Sequence, residues 1–587
     1  MPTPSSKWLV PFVVGVASCT YLFTACPYVL GGDNGEYATL FATGGVAHPP
    51  GFPLYVLLLR ALRFVPARSP AHGAALVTAA LGGAAVFATA RACRAFGASN
   101  GASAVATAVF ASSALFWKLA THAEVFAPSA LAAGAILALS GPFCRLRGER
   151  RAAALGLVAG FGLSLHPSLV LFAPSGLFAF AASVRESKSR ALAVLLGLAA
   201  LVVGLSPYVA LLETALHADP QVSWVWGNVH DLPTLLSHFR RADYGTLSLS
   251  LRGGKPAPWV HVPRFFAHAV RELLGLPLVA IAVIAALIVP RLRRTLDSAR
   301  RAPLAVLLAT FIFVGPAFVA AFNRPLTDVG PAIVERFYLL PLVPLTVLGA
   351  VGLDLLLPSL IDGAAALAFV PLTLGAGFAL SAVDQREASR PSVEFYVENV
   401  LGSLPDGAVV FGSSDHRFGG FLYASRALSL RPDVAFVSPR LLNAPWYRAQ
   451  TSRRLGVAID PPRGNPPDMT PLIATLLHAG RPVALAGANG TRLAPSFVTY
   501  PLGAVVRVLS PGTALPSPAE LEPMNLDVFS RFRLEPTAPA SPGDWPALVA
   551  LDYATPWLTL ADAFTALGET GRAEVCRARA HEFAPWL

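Results

Sequence analysis

Runs of about twenty apolar residues recur through the first two thirds of this chain, each long enough to cross a bilayer as a helix. Clusters of arginine separate them. In hydrocarbon every backbone N–H and C=O must find its partner inside the protein, so spans of this length fold as helices. Hydrophobic residues make up 54% of the 587 and charged residues only 13%, about half the charged share of a soluble domain. A formal charge of +11 would suggest nucleic acid if the protein were soluble. Here the basic residues gather between apolar runs with no aromatics interleaved, a pattern of membrane topology that excludes a nucleic-acid groove.

The first run, Trp8 to Leu30, follows Lys7 and reads as an uncleaved anchor with a cytoplasmic N-terminus. Further spans are expected over Ala71 to Phe96, Ala102 to Phe116, Val125 to Phe143, a hairpin from Ala152 to Ala182 broken at Ser164-Leu165-His166-Pro167, and Ala191 to Leu212. Leu273 to Val289, Ala305 to Phe322, Phe337 to Leu353 and Leu360 to Val383 complete a count of about eleven. That count puts all four large basic clusters, which begin at Arg91, Arg145, Arg185 and Arg291, on the cytoplasmic face. Phe52 to Val65 is too short to span and suits the interface. The five cysteines form no disulfide framework and show no metal-ligand spacing.

After Asp384 the apolar runs shorten to Ala408–Phe411, Val434–Val437 and Val483–Ala486, bounded by turns, which read as strands. The expected fold is therefore an α-helical polytopic membrane protein. It has a membrane domain over residues 1–383, a soluble extracytoplasmic α/β domain over 384–545 and a tetratricopeptide-like helical segment over 546–587.

Under this topology the polar chemistry collects in loops on the far side, above all in the stretch from Gly31 to Tyr55. Asp33 and Glu36 lie three apart, so a helix starting there projects both carboxylates from one end. The same spacing is also a capping box, with Asp33 as N-cap and Glu36 reaching back. His48 sits in a loop whose backbone Pro49-Pro50-Gly51 constrains. His122 and Glu124 share a short far-side loop, as functional groups or as simple loop polarity. His166, at the hairpin tip, either satisfies a broken helix end or lines a pocket. Arg241, near Tyr244, binds phosphate or anionic lipid, and Arg336 faces the cavity or snorkels to the interface. Trp224 and Trp226 read as interfacial anchors. A transporter or proton pump places charges near the midplane of its spans, whereas this chain keeps them at one interface. A carboxylate pair there could act as general base on a hydroxyl, or ligate a divalent cation, though no third ligand is visible.

Asp33-Asn34-Gly35-Glu36, followed by Val46-Ala47-His48-Pro49-Pro50-Gly51-Phe52-Pro53-Leu54-Tyr55, resembles the first external loop of the GT-C polyprenyl-phosphate-dependent glycosyltransferases. The likeness is greatest to bacterial relatives of the eukaryotic transmembrane protein O-mannosyltransferase. Thr121-His122-Ala123-Glu124-Val125-Phe126, Gly162-Leu163-Ser164-Leu165-His166 and Arg241-Ala242-Asp243-Tyr244-Gly245 extend it. The resemblance implies an inverting transferase of mannose or a similar hexose from a polyprenyl-phosphate sugar to a protein or glycan hydroxyl. Its implied setting is the periplasmic face of a bacterial inner membrane. Asp33 is then the catalytic carboxylate and Glu36 its supporting partner, with His48 positioning the acceptor and Arg241 and Arg336 on the donor phosphate. The rival readings are a flippase for lipid-linked sugars and a scaffold working through its helical tail.

Overall fold

The computed structural model describes residues 6–219, 222–244, 258–321, 325–326, 329–361, 363–487, 491–536 and 543–587. Among them six helical runs are long and apolar enough to cross a membrane: Pro70–Ala95, Pro167–Glu186, Arg190–His217, Ser298–Ala320, Gly330–Leu356 and Ala365–Ser403. Two bent pairs raise the number to eight if each is one span. Apolar side chains such as Leu195, Val202, Leu278, Leu372 and Leu380 point outward and are more than half exposed. A belt of that kind is covered by lipid rather than water, and the chain is a membrane protein.

The helices follow the expected runs with instructive departures. The hairpin turns at His166, between Gly148–Leu165 and Pro167–Glu186. The run from Ala102 is two helices, Asn100–Ser112 and Ala114–Thr121, bent by 64°. Ser113 causes the break, its hydroxyl accepting from Phe116 N at 3.3 Å to start the second helix. Leu276–Ile288 makes a 109° corner with Trp259–Glu272, at Leu274 and Gly275, both left-handed. The run from Leu360 does not stop near Val383. Its 39 residues form two helices, Gly363–Ala388 and Ser392–Ser403, separated by residues 389–391.

Beyond that run lies a five-stranded sheet of β3 (Val409–Gly412), β4 (Ala435–Val437), β5 (Val483–Ala486), β6 (Val498–Leu502) and β7 (Val505–Leu509), numbered after the two-strand pair β1 (Gly45–Val46) and β2 (Trp224–Val225). The order is β4-β3-β5-β7-β6; β3 is parallel to β4 and β5, while β7 is antiparallel to β5 and β6. β3 and β5 are buried along their whole length, which explains their unbroken apolar sequence. Helices Trp545–Ala566 and Thr570–Phe583, joined by three residues, pack through Leu560, Phe564, Ala573 and Ala580.

One contact brings this C-terminal part onto the first loop. Helix Asn34–Thr43 crosses helix Asp415–Leu422 so tightly that a Cβ on Gly35 would lie 2.4 Å from the Gly419 backbone. Glycine is required there by the approach of two backbones.

Candidate active site

Asp33 occupies the N-cap position of Asn34–Thr43, yet its carboxylate makes no capping bond. It turns instead to Arg336, whose Nη1 donates to Asp33 Oδ2 at 3.0 Å and to Glu124 Oε1 at 2.8 Å. Arg336 lies near the start of the helical run Gly330–Leu356, and its guanidinium stands 5.6 Å from the centre of the Phe126 ring. One arginine thus ties together the first loop, the loop after the broken helix and a late span, reaching Asp33 across 303 residues and Glu124 across 212.

Glu36 faces elsewhere. His48 Nδ1 donates to its Oε2 at 2.5 Å, while the His48 backbone N–H and Trp224 Nε1 both donate to Oε1 at 3.0 Å. The capping-box reading therefore fails, and Glu36 makes its bonds to His48 and Trp224. Both Glu36 oxygens are engaged, and the charge beside Asp33 is supplied by Arg336. Among the described residues no group of three or more His, Cys, Asp and Glu is placed to hold a metal ion.

The loop carrying His48 is held by backbone pairing. β1 runs parallel to β2 with Gly45 opposite Trp224, and a Cβ on Gly45, at φ +121°, would fall 1.9 Å from Trp224 O. Trp226 N donates to Val46 O at 3.0 Å, and His238 Nε2 meets Ala47 O at 3.1 Å. Trp224 and Trp226 are 5% and 7% exposed, packed against Phe418 and Trp446. They are interior residues that seat Glu36 and His48, which corrects their reading as interfacial anchors.

His166 satisfies the broken helix end, one of the two roles left open by the sequence. Its Nδ1 accepts from Ser168 N at 3.1 Å, starting the helix after the tip, and its ring stacks on Phe52 at 5.6 Å and tilts against Phe126 at 5.4 Å. Phe52, itself left-handed at φ 42°, lies edge-on to His48 at 5.1 Å. His122 is buried and meets Ser389 Oγ at 3.3 Å. With Glu124 and Arg336 it lines a cleft shared with Lys118, Arg390 and Trp545. Arg241 is left-handed at φ 56°, after helix Leu232–Phe239, close enough for its charge to act on His48 and His166. Tyr244 ends the turn Ala242–Tyr244; its side chain lies outside the described residues.

These neighbours set the charges. Burial works to raise the Asp33 pKa, but Arg336 and His48 outweigh it and hold the carboxyl below its usual range. Burial works to lower His48, and Glu36 and Asp33 overcome that to bring it up to about 9. Burial raises Glu124 in spite of Arg336, and its Oε2 is buried without a partner among the described residues. Burial, then Arg241 and Arg336, lower His166 to about 3, and burial with Lys118 lowers His122 to about 3. At neutral pH the site holds an ionised Asp33, an imidazolium at His48 and a neutral His166.

The residues that converge here lie mostly in one matched segment. Residues 33–190 match the family model of the Protein O-mannosyl-transferase TMEM260 N-terminal domain. The mouse Protein O-mannosyl-transferase TMEM260 is 27% identical over 455 residues, covering 74% of this chain and 63% of its own length. The Dictyostelium discoideum Protein O-mannosyl-transferase tmem260 is 23% identical over 478 residues, covering 74% and 58%. The chain thus spans less than two thirds of these TMEM260 relatives. Its fold is similar to that of ArnT from Cupriavidus metallidurans, solved bound to undecaprenyl phosphate, with a TM-score of 0.52 at 15% identity over 87% of this chain and all of that one. The resemblance read from the first-loop motifs is borne out, and with it the helical, GT-C-like character of the fold.

Sequence reasoning missed several members of the site. Phe52 and Phe126 lay inside the quoted motifs without being singled out, Trp224 read as an interfacial anchor and His238 carried no signal, because their roles depend on long-range packing. Gly35 was part of a motif already singled out, and the Gly419-Gly420 pair offered a clue to its partner.

Proposed function

We propose that this chain is a membrane glycosyltransferase that moves mannose or a similar hexose from a polyprenyl-phosphate donor to a hydroxyl of a protein acceptor. The observation that carries this reading is the Asp33–Arg336–Glu124 constellation, with Asp33 and Glu124 inside the segment matched to TMEM260.

In the proposed step the acceptor hydroxyl gives its proton to the ionised Asp33 carboxylate as its oxygen bonds to the anomeric carbon. The bond from that carbon to the phosphate oxygen breaks, and the electron pair leaves with the phosphate. Among the described residues Arg336 bonds through Nη1 alone, so Nη2 and Nε remain to meet that charge, with Arg241 and the His48 imidazolium beside them. A low pKa keeps Asp33 in the form that accepts a proton. His166 and Phe52 form an uncharged shelf beside it, suited to a sugar face.

The eleven-span topology belongs to this reading. It is supported by the arginine clusters, which set the Asp33 loop on the extracytoplasmic face, and by the shorter apolar helices Leu9–Phe23 and Phe126–Ser140, which would complete it with Gly148–Leu165. Residues 384–545 then form a domain on that face, closing over the first loop through Gly419, Phe418 and Trp446.

The test is transfer of labelled mannose from polyprenyl-phosphate mannose to acceptor protein, in membranes carrying the wild type or Asp33→Asn. Loss of transfer at unchanged protein level is expected. Equal transfer by both would overturn the catalytic assignment, and accumulation of donor on one leaflet without transfer would favour the flippase reading.

A further inference from the structure

The proposed reaction does not use a groove at the opposite end of the helices. It has a volume of about 610 Å³, within the range of pockets that take organic ligands. Helices Pro70–Ala95, Phe126–Ser140 and Gly148–Leu165 wall it. Ala88, Ala135, Ala138 and Ala154 leave it open, and Leu131 and Val158 make it greasy. From Leu131 to Leu139 it follows two turns of helix, roughly 12 Å.

Its mouth has the opposite character. Arg91, Arg94 and Arg145 all line it. Arg91 and Arg145 are exposed and make no ion pair or hydrogen bond to the described residues. Arg94 donates to Ala98 O and feels Asp354, a carboxylate outside the lining that accepts from Ser99 N. Two further arginines shape the rim without entering it. Buried Arg151 donates to Leu139 O at 2.7 Å and Gly141 O at 3.2 Å, pinning the turn that presents Arg145. Arg300 lies 5.2 Å from the centre of the Phe143 ring.

An apolar slot that opens beneath a cationic rim matches a molecule with a hydrocarbon tail and an anionic head. We infer that this groove binds an anionic phospholipid of the leaflet facing the arginine clusters, its phosphate between Arg91 and Arg145 and one acyl chain along Ala135. A free phosphate would satisfy the rim and leave the slot empty. A soluble protein ligand would not match a slot recessed between apolar helices.

The test uses the purified full chain in nanodiscs, with phosphatidylglycerol or phosphatidylcholine counted as retained lipid by native mass spectrometry. Preferential retention of phosphatidylglycerol is expected. Arg91→Gln with Arg145→Gln should weaken it roughly thirty-fold, from about 1 kcal/mol per basic residue near a lipid surface. Ala135→Trp, which blocks the slot and keeps every charge, should abolish retention while sugar transfer at the far end continues. Equal retention of both lipids overturns the headgroup assignment. Unchanged retention in Ala135→Trp overturns the slot, reducing the site to surface attraction. Displacement by millimolar inorganic phosphate overturns the lipid, and preference for undecaprenyl phosphate overturns the phospholipid.

Discussion

Replacing Glu36 by Gln isolates the ion pair that holds the first loop. His48 is 17% exposed at its side chain and Glu36 5%, so water screens the pair little. Raising the imidazolium from 6.5 to about 9 corresponds to about 3 kcal/mol. A folded-state pKa above the unfolded value means the folded protein binds the proton more tightly. The stabilisation is therefore complete below about pH 6.5 and disappears as pH rises through about 9. In Glu36→Gln burial acts on His48 with only Asp33 left to oppose it, so this alkaline loss should vanish, and the Trp224 and His48 donors should meet a neutral amide. The assay is thermal unfolding in detergent from pH 5.5 to 10. Wild type should lose stability between pH 7 and 9.5, while the variant starts lower and stays flat over that window. Parallel curves would refute the reasoning, because they would mean that His48 titrates as it does in the unfolded chain.

Four further outcomes are expected. Asp33→Asn should lower sugar transfer about 10²–10⁴-fold, the range of general-base catalysis, with little change in melting temperature because Arg336 keeps Glu124. Arg336→Gln should lower transfer at least as much and also destabilise the fold, since it strands Glu124 in a buried place; an unfolding curve beside the transfer assay separates the two effects. Gly35→Ala drives a methyl into the Gly419 backbone and should cost about 1–3 kcal/mol, read as a fall in melting temperature. His166→Phe preserves the shelf and should keep transfer within a few-fold, whereas His166→Ala should weaken donor binding, read as a rise in KM.

Much of this arrangement was legible in the sequence because the bilayer imposes simple rules. Hydrocarbon length fixed the helical runs, and the break at His166 followed from polar residues and proline inside an apolar stretch. Asp33 and Glu124 meet at Arg336, with His48 and His166 close by. What the chain did not reveal is pairing. Asp33 and Glu36 are neighbours along a helix, but their partners are Arg336, 303 residues away, and Trp224, 188 away. Trp224 and Trp226 looked like interfacial residues because tryptophan is common there, and only the parallel pairing of β1 with β2 shows why they are buried. The corners at Ser113 and Gly275 arise from a capping hydroxyl and a left-handed glycine inside apolar surroundings, where hydropathy alone sees a continuous span.

The matched segment, residues 33–190, holds Asp33, Glu36, His48, Glu124 and His166. It omits Arg336, Arg241, Trp224 and the glycine wall at Gly419. Comparison by that segment alone therefore finds the carboxylates and histidines and overlooks the guanidinium that bonds both Asp33 and Glu124. A related chain that kept the segment but carried a neutral residue at the position of Arg336 would match it equally well while its first-loop carboxylate lost the charge that holds its pKa down. Sorting such chains means inspecting a single late helix, far from the motif that draws the eye.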